Sequence, residues 1–310
     1  MNIIFGPVNS RRFGISLGID LSPATKQCNF DCLYCELAPM ATQNTQKDVV
    51  PVEEIIKELK EHLNEKVDVI TLTANGEPTL YPHLSQLIYE INKIKGATQT
   101  LILTNSATLV DENIFNSLLE LDQVKLSLDA ISQNVFVKID RPHKDIYIEE
   151  IISKIQEFSK KYKGKLFIEI LFVHGLNDTK EEIQKLNDVL CTINCTRIDL
   201  GTIDRPPAYP VMGISYKELY AISLMFHAAL PIHIASRVHA HANHSSYNNE
   251  EILNTLDKRP LCMEDIELLF DEESKERLTK LINEKKIAKK SVGNLEFLVP
   301  HHNLKRKEIK

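Results

Sequence analysis

Short apolar runs alternate with amphipathic segments along most of the chain, from about residue 14 to residue 236. Apolar runs between turn residues are typical of buried strands, whereas apolar residues spaced three and four apart predict helices with one buried face. The predicted strands are residues 14–21, 67–74, 98–104, 124–129, 165–173 and 197–203. The predicted helices are residues 51–63, 82–94, a helix capped by Asp111, a long helix over 147–162, residues 179–190 after an Asp178-Thr179 cap, and a helix opened by a Ser215–Glu218 capping box.

Six strand–helix units in series predict a parallel sheet in one α/β domain over residues 1–236. Six units are too few for a closed eight-stranded barrel, so a doubly wound sheet and an open six-unit barrel remain as alternatives. The apolar stretch 220–235 is interrupted by His227, Pro231 and His233. It therefore predicts a buried helix and strand and not a membrane span.

The pattern changes after residue 236. Residues 237–249 are rich in His, Asn and Ser and are predicted to form a linker. Helices are predicted over 250–256, 263–270 and 273–284, followed by strands over 287–291 and 296–299 around a Gly293-Asn294 hairpin turn. Three helices and a hairpin predict a small winged-helix-like domain over 250–300, followed by a basic tail over 301–310.

The charge balance narrows the classes of partner. The chain has 310 residues, 43 of them acidic and 37 basic, so its net charge is −6 and general attraction to nucleic acid is not expected. The distinctly basic region is 285–310, where eight Lys and Arg residues stand against Glu296 and Glu308. The N-terminus lacks signal-peptide features, no 18-residue apolar run occurs, and six cysteines do not suggest a disulfide scaffold. We therefore expect a cytoplasmic protein without a membrane partner.

Three cysteines with the spacing CxxxCxxC follow the first predicted strand, and they are Cys28, Cys32 and Cys35. Three thiolates hold three irons of a [4Fe–4S] cluster and leave the fourth iron open to a ligand. Two alternatives remain: a zinc site completed by a histidine or a distant cysteine, and unpaired structural thiols. Tyr34 places an aromatic ring beside the last cysteine.

Polar residues also follow several other predicted strands. Ligands of α/β folds bind at the carboxyl ends of strands, so these residues are candidates for a binding site. They are Asn75, Gly76, Glu77 and Pro78 after the second strand, Asn105 after the third, Ser127 and Asp129 at the end of the fourth, and Asn177 after the fifth. The alternative is that they form ordinary turns and helix caps, with Asp178 as one such cap.

The cysteine spacing and the Asn75-Gly-Glu-Pro78 loop resemble the radical S-adenosylmethionine (SAM) superfamily, although Asn75 stands in place of a glycine. The resemblance implies a partial (βα)6 barrel, with the cluster loop after the first strand. It also implies a [4Fe–4S] cluster on the three cysteines, and SAM bound near Tyr34, the Glu77 loop, Asn105, Ser127, Asp129 and the turn that contains Asn177. In this superfamily the reduced cluster splits SAM into methionine and a 5′-deoxyadenosyl radical.

The layout from Gly6 through the cysteines to the two Arg-Pro sites resembles an uncharacterised bacterial family that is distantly related to wyosine-type tRNA-modifying radical SAM enzymes. Ser10-Arg11-Arg12 marks this family. The resemblance implies an external electron donor of the flavodoxin or ferredoxin type. It favours RNA as substrate, with tRNA held by the C-terminal domain. Two alternatives remain: a glycyl-radical-type activating enzyme with a protein substrate, and a non-enzymatic iron–sulfur redox sensor that binds DNA through the winged helix.

Arg141 and Arg205 each precede proline and are candidates for binding the SAM carboxylate or an anionic substrate, or for a structural ion pair with a neighbouring acid. Two further groups carry weaker expectations. The histidines at 239, 241 and 244 suit a metal site less well than a solvated linker. The remaining cysteines suit a second cluster less well than free buried thiols, and they are Cys191, Cys195 and Cys262.

Overall fold

The structure is a computed structural model that describes residues 3–10, 13–64, 66–234, 246–258, 261–292 and 295–301. An eight-stranded sheet forms its centre, with helices between the strands. The strands are β1 (Ile4–Ser10), β2 (Gly14–Asp20), β3 (Val69–Thr73), β4 (Gln99–Thr104), β5 (Gln123–Ser127), β6 (Lys165–Phe172), β7 (Arg197–Thr202) and β8 (Ile232–Ile234). The helices are α1 (Val52–His62), α2 (Leu84–Ile94), α3 (Glu112–Leu118), α4 (Gln133–Ile139), α5 (Ile148–Lys161), α6 (Lys180–Leu190) and α7 (Tyr216–Ser223).

The strands lie side by side in the order of the chain. Strands β2 to β8 are parallel, and β1 pairs antiparallel with β2 at the edge. A doubly wound sheet reverses its strand order at a switch point, and this sheet does not. The chain therefore has the open-barrel arrangement of radical SAM folds, and the six predicted strands are β2 to β7. The short strand β8 adds a seventh parallel strand after α7, as the broken apolar stretch predicted.

The two faces of the sheet differ in polarity. On one face, Ile70, Ile102 and Ile168 are fully buried in a core shared with the apolar stripes of the helices. The opposite face carries charged residues, among them Lys125 and the fully buried Asp199. Alternation of apolar and polar residues along a strand produces this division, and it makes the concave side of the open barrel polar.

In the larger unit, built on the eight-stranded sheet, one strand and one helix escaped the sequence prediction. Strand β1 contains Gly6-Pro7, and proline is confined to edge strands because it cannot donate a ladder hydrogen bond. Helix α4 has no side-chain cap of its own at Ser132. Instead, the Glu182 carboxylate of α6 accepts hydrogen bonds from the backbone N–H groups of Ile131 and Ser132, at 2.6 and 2.8 Å.

The predicted helix caps are confirmed at two positions, and of the third, the Asp178-Thr179 cap, one residue is confirmed. Asp111 accepts hydrogen bonds at the start of α3, and Ser215 forms the predicted capping box with Glu218 at the start of α7. The cap of α6 is Thr179, not Asp178. The Asp178 side chain instead accepts a hydrogen bond from Gly175 N at 2.9 Å, because it closes the preceding turn.

A second, smaller unit follows residue 246 and has its own hydrophobic core. Its strands form an antiparallel sheet in the order β10-β11-β9. Its elements are α8 (Asn249–Lys258), β9 (Leu261–Cys262), α9 (Met263–Leu269), α10 (Glu272–Asn283), β10 (Ile287–Val292) and β11 (Leu295–Pro300). The two-residue strand β9 was not predicted. The winged-helix assignment stays a prediction, and the Gly293-Asn294 turn, most of the linker and the tail after 301 lie outside the described residues.

The smaller unit meets the sheet at the edge strand β1. The Tyr247 hydroxyl donates to the Pro7 carbonyl oxygen at 3.3 Å, and its ring packs against Phe270 with 4.7 Å between the centroids. No helix of the described residues is both long enough and apolar enough to cross a membrane.

Candidate functional site

The three clustered cysteines lie in the loop between β2 and α1, and backbone hydrogen bonds hold this loop to two other segments and to its own returning part. Gln43 N donates to the Cys28 carbonyl at 2.9 Å, and Ala208 N donates to the Cys35 carbonyl at 2.7 Å. Between them, Leu33 N donates to the carbonyl of the last residue of α4 at 2.8 Å. The loop is therefore fixed by α4 and by the segment after β7 as well as by its own return.

A backbone bridge joins the start of the cysteine loop to the loop after β3. Gln27 N donates to the Asn75 carbonyl at 2.8 Å, and Glu77 N donates to the Gln27 carbonyl at 2.9 Å. Gly76 lies between these bonds with φ +131°, and a Cβ there would be 1.9 Å from the Gln27 oxygen. Only glycine fits this position, and it places Cys28 directly beside the Glu77 loop.

The Glu77 side chain is buried and ties the ends of β3 and β4 together. Oε1 accepts from Thr79 N at 3.0 Å and from Thr104 Oγ1 at 2.6 Å, and Oε2 accepts from Asn105 N at 2.8 Å. Burial raises the pKa of Glu77, while these hydrogen bonds act in the opposite direction. In the described part of the chain no Lys, Arg or His pairs with it. Its predicted contact with the SAM ammonium group stays a prediction, and Pro78 begins the 3₁₀ turn that follows.

Asn105 links this loop to the first cysteine. Its Nδ2 lies 2.6 Å from Asn29 Oδ1 and 3.9 Å from the Cys28 sulfur. An amide donor beside a thiolate stabilises negative charge on sulfur, so the Asn105 amide suits a thiolate at Cys28. Its contact with SAM stays a prediction.

Tyr34 lies between two buried carboxylates. Its hydroxyl donates to Asp129 Oδ2 at 2.5 Å and lies 3.4 Å from Asp140 Oδ1. Burial raises the pKa of Asp129 to about 7, and burial together with the charge of Asp129 raises the pKa of Asp140. Tyr34, Asn105, Ser127 and Asp129 line one small cavity, so four of the predicted binding residues come together at one place.

Asn177 lies behind this cavity and is fully buried. Its Nδ2 donates to the carbonyl oxygens of Asp129 and Leu171, at 2.8 and 2.9 Å, and its Oδ1 accepts from Val173 N at 2.8 Å. The side chain therefore orders the turn after β6. Its contact with a cofactor stays a prediction.

The chemistry of the three thiols fits an iron–sulfur cluster. Burial raises the pKa of Cys28 to about 12, and it raises the pKa values of Cys32 and Cys35 as well. Three thiolates are therefore stable here only beside a strongly cationic centre. Within the described ranges no group of three or more His, Cys, Asp and Glu side chains converges as one metal ion requires. A zinc ion draws its ligands to one point, whereas a cluster binds each thiolate at a separate iron.

Both Arg-Pro arginines form ion pairs with acids of the cysteine loop, which is the structural alternative that the sequence left open. Arg141 Nη1 lies 3.3 Å from Asp31 Oδ2, and Arg205 pairs with Glu36. Asp31 and Glu36 were not singled out from the sequence. Their positions, directly before Cys32 and directly after Cys35, were the available signal.

Two of the weaker candidates, Cys191 and Cys195, are among the described residues, and they lie outside this site. Cys191 is exposed and not buried as expected, because it caps the end of α6, and Cys195 is partly buried. The side chain of Cys262 lies outside the described residues. So do Arg11, Arg12 and the histidines at 239, 241 and 244.

This chain resembles known proteins both in sequence and in fold. The sequence profile of the Radical SAM superfamily matches residues 22–187, more than half of the chain. A "UPF0026 protein" of Helicobacter pylori strain J99 is 42% identical over 300 residues, which is 95% of this chain and 96% of that protein. A structure of TYW1 with a lysine-pyruvate adduct bound has a TM-score of 0.52 at 18% identity, over 71% of this chain and 74% of that one. Streptococcus suis SuiB bound to S-adenosylmethionine has a TM-score of 0.55 at 18% identity, over 71% and 51%. At this identity the two structures show a shared fold.

Proposed function

This chain belongs to the radical SAM superfamily and, within it, to the UPF0026 family, and we propose that it is an enzyme that cleaves SAM reductively. Cys28, Cys32 and Cys35 would hold the [4Fe–4S] cluster. When bound, the cluster supplies the electron that splits SAM into methionine and a 5′-deoxyadenosyl radical, which removes hydrogen from a substrate. The polar concave side of the barrel then holds that substrate away from bulk water.

The backbone bridge at Gly76 is the observation that carries this proposal. It fixes the first cysteine beside the Asn75–Pro78 loop, so a cluster held by Cys28 would adjoin the predicted SAM-binding loop. Asn105, Ser127 and Asp129 follow at the ends of the next two strands and offer amide, hydroxyl and carboxylate groups to the rest of SAM. A zinc site or a set of structural thiols requires neither this junction nor this row of polar groups.

We also propose an external electron donor of the flavodoxin or ferredoxin type. Each cleavage needs one electron, and the described residues contain no second group of three cysteines that could relay it. The donor has to approach the cysteine loop, where the cluster would lie near the surface.

The substrate class that we propose is RNA, held by the smaller C-terminal unit. Lys285, Lys286 and Lys289 lie exposed at the turn before β10 and on that strand. Helix α10, by contrast, exposes Glu272, Glu273 and Glu276, which offset the charge of its two lysines and its arginine and leave it without a basic excess. This charge distribution therefore favours contact between RNA and the side of the unit that carries β10. A DNA-binding sensor that reads bases with α10 fits it poorly.

Cluster content and SAM binding test the enzyme proposal. After anaerobic reconstitution we expect four irons and four sulfides per chain, and a change in the electron paramagnetic resonance spectrum of the reduced cluster when SAM is added. Cys28→Ala should lose both, whereas Cys191→Ala, outside the loop, should keep both. Stoichiometric zinc with no iron–sulfur absorbance would exclude the proposal.

Salt-dependent retention of bulk tRNA tests the substrate proposal. Replacing Lys285, Lys286 and Lys289 with Gln should weaken the retention of tRNA and flatten its dependence on salt. Each phosphate contact that is lost reduces the number of counterions released when tRNA binds. A matched variant with three exposed lysines of the barrel replaced by Gln, at 57, 60 and 163, should behave as the wild type. If the full-length protein shows no salt-dependent retention, RNA is excluded and a protein substrate becomes the better alternative.

A further inference from the structure

Two cations from different parts of the fold meet the cysteine loop on either side of its last two cysteines. Arg141 follows α4 and pairs with Asp31, directly before Cys32, while Arg205 follows β7 and pairs with Glu36, directly after Cys35. We propose that these two arginines are positioning residues that hold the cysteine loop closed around the cluster and set its reduction potential. This inference rests on the proposed cluster.

The Arg141 side of this arrangement joins three segments at one buried carboxylate. Asp31 is 8% exposed, and its carboxylate receives Arg141, Lys26 Nζ at 3.5 Å and the Tyr209 hydroxyl. The Arg141 guanidinium also stacks over the Tyr209 ring, 4.7 Å from its centroid. Arg141 adopts a positive φ of 46°, which few residues with side chains do, so the chain accepts backbone strain to make these contacts.

The second ion pair, on the other side of the two cysteines, contains Glu36, whose side chain is partly buried. Glu36 Oε1 pairs with Arg205, whereas Glu36 Oε2 is buried and has no hydrogen-bond donor among the described residues. Removal of the guanidinium would leave a partly buried carboxylate next to Cys35 without its counter-charge. Ala208 lies in the same segment as Arg205, and its N–H donates to the Cys35 carbonyl at 2.7 Å. Loss of the ion pair would therefore strain this hydrogen bond too.

The charge of this pair predicts the direction of the change in potential. Reduction adds negative charge to a cluster, so an uncompensated carboxylate beside it lowers the reduction potential, and loss of a carboxylate raises it. Arg205→Gln should therefore lower the potential and Glu36→Gln should raise it. The double variant restores charge balance and should return close to the wild-type value.

The experiment is a double-mutant cycle on the reconstituted full-length protein, with two readouts: the rate of iron loss to a chelator and the midpoint potential of the cluster. We expect Arg205→Gln and Arg141→Gln to lose iron about tenfold faster, the order expected for one charge-assisted hydrogen bond. Arg205→Lys should recover part of the loss. Arg197→Gln is the matched control, because Arg197 also forms an ion pair, with Asp199 at 2.8 Å, at the opposite end of β7.

Two results would overturn the inference. One is iron loss from Arg205→Gln at the rate of Arg197→Gln, and the other is a midpoint potential of Arg205→Gln equal to or above that of the wild type. If the wild-type protein binds no cluster at all, the proposed function fails and this inference fails with it. If the wild type binds the cluster and the arginine variants match the control, the inference alone is wrong.

Discussion

At Gly76 the absence of a side chain decides whether the cysteine loop can lie against the loop after β3. The sequence predicted a cofactor loop here from the Gly-Glu-Pro pattern, and the structure adds the steric reason. The predicted residues Tyr34, Asn105, Ser127 and Asp129 came together in one cavity, because each lies at or after the carboxyl end of a strand of the same sheet. The acids Asp31 and Glu36 were not predicted as partners of the two arginines, because their pairing depends on contacts between distant segments.

We predict that Gly76→Ala prevents cluster assembly. The new methyl group would meet the Gln27 carbonyl at a distance that no relaxation of one side chain can relieve, so the bridge must open. Iron content after reconstitution and thermal unfolding of the iron-free protein measure the effect. Gly96→Ala is the control, since Gly96 also has a positive φ, 57°, but nothing lies within 4 Å of its Cβ position. The Gly96→Ala variant should lose only about 1–2 kcal/mol of its free energy of unfolding and keep its iron.

The raised pKa of Asp129 predicts how the free energy of unfolding of the iron-free protein depends on pH. Its folded-state pKa is about 7, above its ordinary value of 3.8, because burial disfavours the charged form. Between these values the unfolded chain loses the proton and the folded protein keeps it, so stability falls as pH rises, by at most about 1.4 kcal/mol per pH unit. Urea unfolding of the iron-free protein at pH 5 and pH 7 should show this fall. Asp129→Asn should reduce it, with a remainder from Asp140, and an equal fall in the variant would contradict the assignment.

At the scale of elements, the strands and long helices were predictable because each carries its own periodic pattern. Helix α4 was not, because its cap comes from another helix. The Thr179-x-x-Glu182 pattern is that of a capping box, yet the Glu182 carboxylate turns to the start of α4 and not to its own helix. Local sequence does not show where such a side chain points.

We predict that Glu182→Ala destabilises the protein by about 1–3 kcal/mol, since three hydrogen bonds at the start of α4 lose their buried acceptor. Urea unfolding measures this directly. Glu181→Ala, at the exposed neighbouring position, should change the free energy of unfolding by no more than about 0.5 kcal/mol. Equal effects from the two variants would show that Glu182 does not cap α4.

At the scale of the whole molecule, the repeated strand–helix units predicted a parallel sheet but left two arrangements open. The strand order of the structure selects the open barrel. The edge strand β1 and its contact with the C-terminal unit were not predictable, because a strand that contains Gly-Pro lacks the alternating pattern and Tyr247 lies 240 residues from Pro7. The barrel places every predicted cofactor residue at the carboxyl ends of its strands or in the loops that follow them, which is where α/β folds bind their ligands.

Formation of 5′-deoxyadenosine tests the central claim most directly. The reconstituted protein is mixed anaerobically with SAM and dithionite, and 5′-deoxyadenosine and methionine are measured by mass spectrometry. We expect both products from the wild type and neither from Cys32→Ala. A wild-type protein that holds four irons and four sulfides per chain, yet forms no 5′-deoxyadenosine with either RNA or protein extract added, would contradict this claim.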